Sequence, residues 1–260
     1  MSQTLYIRFS PHHLSFARYE AGRDGALSYA PWKLRHRGGL LSTLREACEA
    51  LPLTAGATRT EVILSTQAVT VPLADFDEAD CEQVYDFCMA SDLPHRVFYD
   101  TLPAANAVLV YGMTEIVCRA FEETFPNVRY TSTQMHSLRR LTAYDYRPGG
   151  CKRVFAYLHD HSADIVVFDG SRILFNNTFE VAETQDVVYF AFNVVDKLSL
   201  NREQDFFYLL GPEFLRKPAA TAFRQYARNV MDVAPQDLCK TTLTEAEAEV
   251  PIDLLMAAAH

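Results

Sequence analysis

The chain has 260 residues, 49% of them hydrophobic and 12% aromatic, which is material for a sizeable core in one large domain or in two of about 130 residues. That composition excludes intrinsic disorder. A formal net charge of −9 lacks the positive footprint of a nucleic-acid or anionic-membrane binder, so no nucleic acid is expected as a partner.

No apolar stretch reaches the ~20 residues that cross a bilayer, and "MSQTLYIRFS" has no basic segment leading into an apolar one. No membrane insertion is therefore expected, and the expected location is cytoplasmic. The basic group Arg139, Arg140, Arg147, Lys152 and Arg153 reads as a solvated face between domains. The six cysteines (Cys48, Cys81, Cys88, Cys118, Cys151, Cys239) have no CxxC pair and no zinc-ligand spacing. Buried reduced thiols are expected, with Cys81 and Cys88, seven apart, on one helix face.

In chain order, Leu5–Phe9 and Leu14–Tyr19 read as paired strands rich in β-branched and aromatic residues, and "EAGRDG" turns into a third at Ala26–Trp32. "RHRGG" opens a helix over Leu40–Leu51, with Leu40, Leu41, Leu44, Ala47, Cys48 and Leu51 on one side. "TEVILS" is a short strand with "QAVTVPL" as its expected partner, and a helix follows from Asp77 through Ala90. "HRVFYDTL" and "NAVLVYGM" form a hairpin, "TEIVCRAFEETF" a helix, "NVRYTS" a strand and "STQMHSLRRLTAYD" a helix. "RPGG" at 147–150 is the expected boundary between subdomains at 1–148 and 151–260.

The second half repeats the programme: three strands with a "DGS" hairpin turn, a helix over Thr184–Lys197 that is apolar nearly all round, the strand "QDFFYLLG", the mostly helical "PEFLRKPAATAFRQYA", the strand "NVMDV", an acidic stretch at 243–250 and a terminal helix "PIDLLMAAA". The order βββαβα occurs twice, with an extra hairpin inserted in the first half. Alternating strands and helices make the chain α/β.

The echo is visible at residue level. "LYIRFSPHHLSFARYE" (Leu5–Glu20) and "VFAYLHDHSADIVVFD" (Val154–Asp169) are each an apolar run, a polar elbow and a second apolar run, followed by "ALSYAPWKL" and "RILFNNTFEV". Two such meanders, each leading into a helix, resemble the actin/Hsp70/sugar-kinase superfamily. The segment from Lys152 to about Gly211 resembles the type IV pilus actin-like assembly proteins. "HSADIVVFDGSRILFNNTF" and "KLSLNREQDFFYLLG" are similar to an uncharacterised bacterial family of that superfamily. The resemblance implies two tandem RNase-H-like (actin/Hsp70-like) subdomains, each a mixed five-stranded sheet with flanking helices.

It also implies that the elbows stand where the superfamily keeps glycine-bearing phosphate loops. There an aspartate holds or orients a water, and a glycine lets backbone N–H groups approach the phosphates. Aligned on "DIVVF", Tyr157 takes the place of the aspartate and His159 that of the glycine; Arg8 and Ser10 take those places in the first copy. Asp164 aligns with Ser15. Gly211, followed by Pro212, is all that stays of the glycine pair that contacts adenosine. The elbow histidines (His12, His13, His159, His161) are expected to face solvent and to bind no metal.

The chain is therefore expected to be a non-catalytic protein with degenerate phosphate loops, an interaction or scaffold module with a protein partner or a second copy of itself, and to use no cofactor, neither ATP nor Mg²⁺. The alternative is a diverged nucleotide-binding ATPase or kinase working through Asp160, Asp164 or Asp169.

Overall fold

The computed structural model of the chain describes residues 4–19, 27–34, 39–89, 93–146, 150–239, 247 and 250–258. The turn expected at Glu20–Gly25, most of "RHRGG", most of the "RPGG" boundary and most of the acidic stretch at 243–250 lie outside the described residues. The chain divides into two compact units: Met1–Thr101 with Val108–Ser137 and Glu245–His260, and Leu102–Ala107 with Leu138–Thr244.

In the first unit, β1 (Thr4–Phe9), β2 (Leu14–Tyr19) and β3 (Leu27–Trp32) form a meander, followed by α1 (Gly39–Ala50) and β4 (Arg59–Leu64). β1 runs antiparallel to β2 and parallel to β4, and β8 (Val128–Ser132) completes a mixed sheet in the order β3-β2-β1-β4-β8. The period of two in a strand sends Leu5, Ile7 and Phe9 to one face. There α1 packs beside α3 (Glu115–Thr124), with Leu44, Ala47 and Cys118 fully buried and the Phe9 and Phe121 rings edge-on at 5.5 Å.

Between β4 and β8 lies an insertion built on β5 (Ala68–Pro72), α2 (Cys81–Cys88), β6 (His95–Leu102) and β7 (Ala107–Thr114). Its sheet has the order β5-β7-β6, so β5 is not the partner of β4 that the sequence suggested. The reason is topological: β1 and β8 already occupy both edges of β4. The helix expected from Asp77 is shorter than its sequence pattern. A 3-10 turn, Glu78–Asp80, comes first, with the Asp77 carboxylate accepting the Ala79 N–H at 2.9 Å. α2 then sets Cys81 and Tyr85 on Val108 and Val110. Asp100 accepts hydrogen bonds from the Tyr111 and Thr131 hydroxyls, each 2.9 Å, and so ties β6 and β7 to β8. α4 (Thr133–Ala143) follows, its start capped by the Ser132 hydroxyl, which accepts the Met135 N–H.

The second unit repeats the plan. β9 (Arg153–His159), β10 (Ser162–Asp169) and β11 (Arg172–Glu180) lead through α5 (Thr184–Lys197) to β12 (Phe206–Leu210), α6 (Glu213–Phe223), β13 (Asn229–Asp232) and α7 (Pro235–Cys239). The sheet order β11-β10-β9-β12-β13, with β9 antiparallel to β10 and parallel to β12, matches the first. α5 opens on a reciprocal capping box of Glu183 and Asp186. The backbone N–H groups of Glu183 and Ala182 hold the Asp186 carboxyl below its usual range. α5 is not buried all round: Val187, Ala191 and Val195 face the core while Tyr189 stands in solvent. The two mixed five-stranded sheets and flanking helices are those expected.

Three expectations are corrected. The terminal helix α8 (Ile252–Ala258) does not join the second subdomain: it packs on β1 and β2 of the first unit, burying Ile252, Leu254, Leu255 and Met256. Arg153 is not solvated. It is 1% exposed, and its guanidinium donates to the carbonyls of Leu141, Thr142, Tyr144 and Gly170. Three of those belong to the end of α4 and its exit, where unpaired carbonyls and the negative end of the helix favour a cation. Among the described cysteines, Cys81 and Cys118 are buried, Cys48 and Cys151 half-buried and Cys88 exposed, so fewer thiols are buried than expected, although Cys81 and Cys88 do both lie on α2. Burial pushes the Cys48, Cys81 and Cys118 thiols up, away from thiolate reactivity. Among the described residues no helix is long and apolar enough to cross a membrane.

Candidate functional site

The two elbows are equivalent in strand register. Arg8 pairs with Ser15 across β1 and β2, and Tyr157 pairs with Asp164 across β9 and β10, each pair seven residues apart. Ser10 and His159 stand two residues further on in each copy. Arg8 and Tyr157 therefore hold equivalent strand positions in the two sheets, while His159 is still inside β9 and Ser10 lies just past the end of β1.

The first elbow is closed by its own serine. The Ser10 N–H donates to the His13 carbonyl at 2.8 Å, while the Ser10 hydroxyl accepts the N–H groups of His12 (3.3 Å) and His13 (2.9 Å). Backbone donors that a glycine-bearing loop would turn toward an anion are spent on a side chain inside the turn. His12 and His13 are exposed, as expected. Arg8, in the aspartate position, is 2% exposed and meets Asp253 from the first turn of α8, itself 0% exposed. The Arg8 Nε–H is shared between both Asp253 oxygens at 2.9 Å, and the Leu254 N–H donates to Asp253 Oδ1 at 2.7 Å. A guanidinium and a carboxylate out of water need such mutual satisfaction.

The second elbow is a two-residue hairpin. Asp160 (φ 44°) and His161 (φ 61°) both take the left-handed backbone that a type I′ turn demands; Asp is a usual first residue there, but His stands where glycine is usual at the second. His161 is exposed, but His159 is not: it is 6% exposed, against the expectation that the elbow histidines face solvent. Its ring lies against Tyr157, centroids 4.6 Å apart, and its Nε2 donates to Asp164 Oδ2 at 3.0 Å. The Thr178 hydroxyl of β11 donates to the other oxygen, Oδ1, at 2.6 Å, and Asp160 stands 3.7 Å from His159 Nδ1.

Asp164 is thus buried at 3% exposure and bridges β9, β10 and β11. In a Ser-His-Asp relay the imidazole meets the hydroxyl and the carboxylate stands behind the imidazole. Here the order differs: the Asp164 carboxylate sits in the middle and accepts from both the His159 imidazole and the Thr178 hydroxyl. Asp169 is exposed at the β10–β11 turn, opposite Arg172 in the register.

Gly211 follows β12 with φ at 120°, and a Cβ there would collide with the carbonyl oxygen of Leu158 on β9. The packing of two neighbouring strands accounts for its being glycine. Its own carbonyl accepts from Arg216, which is also paired with Asp232.

The sequence had singled out neither Asp253 nor Thr178, the partners that decide the state of Arg8 and Asp164. The family model for proteins of unknown function, DUF3822, matches residues 1–230. The chain belongs to the DUF3822 family. No curated protein matches it in sequence. Among solved structures it is similar to a Bacteroides thetaiotaomicron protein with an actin-like ATPase fold and unknown function, at 21% identity and a TM-score of 0.79, over 91% of this chain and 93% of that one. It is also similar to a chain of the PilM–PilN type IV pilus biogenesis complex, at 13% identity and a TM-score of 0.65, over 99% of this chain and 97% of that one. The DUF3822 chain therefore has the actin-like ATPase fold.

Proposed function

We propose that this DUF3822 protein is a non-catalytic, cytoplasmic member of the actin-like fold that acts by binding another protein. The observation that carries the reading is the internal satisfaction of both elbows. In this reading a magnesium nucleotide does not fit the residues present. Arg8 is neutralised by Asp253, the His12 and His13 N–H groups are taken by Ser10, and His159 and Thr178 take up the Asp164 carboxylate. The likeness to a chain of the PilM–PilN complex supports a protein partner, because that fold there serves in a protein assembly.

Differential scanning fluorimetry with millimolar ATP and Mg²⁺ tests the reading. A ligand at a hundred times its Kd stabilises a protein by about 2.7 kcal/mol, a rise of several degrees. No rise is expected. A clear, magnesium-dependent rise would return the chain to the diverged ATPases or kinases.

A further inference from the structure

The insertion of the first unit and the start of α3 that follows it leave three apolar side chains out of any core. Phe87 of α2 is 91% exposed, Ile116 of α3 78% and Leu93, just before β6, 63%. Two contacts made by their sequence neighbours bring the backbone at these three positions to one end of the insertion. Asp86 of α2 binds His95 of β6 at 2.8 Å, and the Glu115 N–H donates to the Pro94 carbonyl at 2.9 Å. Phe87 and Ile116 adjoin the first and last of these residues, and Leu93 adjoins Pro94. Single exposed apolar residues are ordinary, but a gathered set marks a contact surface.

The rim of this set is acidic. Residues 73–93 contain seven Asp or Glu and no Lys or Arg; beside the apolar residues Glu82 and Asp86 are solvent-exposed and Glu115 half-buried. Arg119 pairs with Glu115 at 2.6 Å and Arg96 with Glu122 at 2.7 Å, each pair cancelling its own charge, so the excess negative charge comes from the carboxylates of residues 73–93. His95 lies against Asp86, and its bonds to the Leu93 carbonyl and to Asp86 hold its pKa above the usual value. Negative charge around an apolar centre repels an anionic lipid surface and selects a partner of the opposite sign.

We propose that Phe87, Leu93 and Ile116, with the carboxylates around them, dock an apolar segment of another protein that carries Lys or Arg beside its apolar residues. This rests on the reading of the chain as a protein-binding member of its fold and names the surface. Apolar anchors in the centre supply the affinity, and the acidic rim supplies encounter rate and choice of partner.

Fluorescence anisotropy of the full chain tests it with a short labelled peptide of Leu, Phe and Lys patterned as an amphipathic helix, beside the same peptide with Glu for every Lys. The Lys peptide should bind, and the Glu peptide should bind at least about tenfold more weakly. Phe87→Asp and Ile116→Asp should each weaken the Lys peptide by about tenfold or more. The sign is diagnostic, because each variant adds negative charge: diffuse electrostatic attraction would tighten. Both positions are exposed, so circular dichroism should show an unchanged fold.

The proposal is overturned if the Lys peptide does not bind or if either variant binds it as well as the parent chain. It is also overturned by a dimer in sedimentation that Phe87→Asp dissolves, or by binding to phosphatidylserine vesicles that the same variant abolishes. A nucleotide-dependent thermal shift would defeat the non-catalytic reading without moving the peptide titration. Loss of peptide binding would defeat the docking surface without producing a thermal shift.

Discussion

The two elbows occupy the same place in two copies of one sheet, yet they are closed by different physics. The first uses a hydroxyl to absorb its own turn N–H groups, and a buried ion pair whose far member lies 245 residues along the chain. The second uses a tight turn of two left-handed residues and a carboxylate that staples three adjacent strands. One is held by a distant part of the chain, the other almost wholly by its neighbours. The scaffold thus constrains where the elbow falls, while the means of satisfying its polar groups is left open.

The largest effect expected on this comparison comes from the ion pair. Asp253→Ala leaves the Arg8 guanidinium buried without its carboxylate and should cost about 3–5 kcal/mol, whereas the double replacement Arg8→Met with Asp253→Leu should be close to neutral. Urea melts of the three proteins decide it. If Asp253→Ala melts like the parent, the first elbow does not depend on α8 and the contrast with the second fails. Arg8→Asp, which puts back the acid of the phosphate-loop pattern, should be among the least stable variants, because it sets two carboxylates face to face.

How far this was legible beforehand follows from the range of each interaction. The β1–β2 and β9–β10 hairpins and the seven-residue spacing across each elbow are local and follow from strand pattern, whereas singling out Arg8, Ser10, Tyr157 and His159 within them came from the family resemblance. Asp253 could not be singled out, because an acid in the first turn of a helix is what helix electrostatics already favours and so gives no sign of a partner. Arg153 misled for a related reason: its neighbours Arg139, Arg140 and Lys152 suggest a solvated face, and only the fold shows the carbonyls at the end of α4 closing on it. The pairing of β5 with β7 likewise depends on which edges of β4 are already taken. The docking surface had a signal that went unused, namely a run of acids interrupted by Phe87.

A middle-sized effect is expected at the second elbow. Thr178→Val removes the hydroxyl that donates to Asp164 and keeps the side-chain shape, so a buried carboxylate loses a side-chain donor. The cost should be about 1–3 kcal/mol. A double-mutant cycle with His159→Gln should show coupling of roughly 0.5–3 kcal/mol, since both donors serve one acceptor. Additive losses would mean that the three strands are not joined through Asp164, and the second elbow would then lack the local staple that sets it apart from the first.

The smallest effects should carry opposite signs in the two turns, which makes them a sharp test despite their size. Ser10→Ala deprives the His12 and His13 N–H groups of their shared acceptor. Ser10 is buried but residues 11–13 are exposed, so water replaces part of the loss, and about 1 kcal/mol of destabilisation is expected. His161→Gly acts on strain instead: at φ 61° a side chain with a Cβ is disfavoured and glycine is not. Stability should therefore rise by about 1 kcal/mol, visible as an increase in Tm of a few degrees. The elbow closed by a side chain should thus lose from truncation while the elbow closed by its backbone gains. If both variants lose stability, the His161 side chain contributes more to its turn than its backbone strain costs, and the second elbow is held by side chains as the first one is.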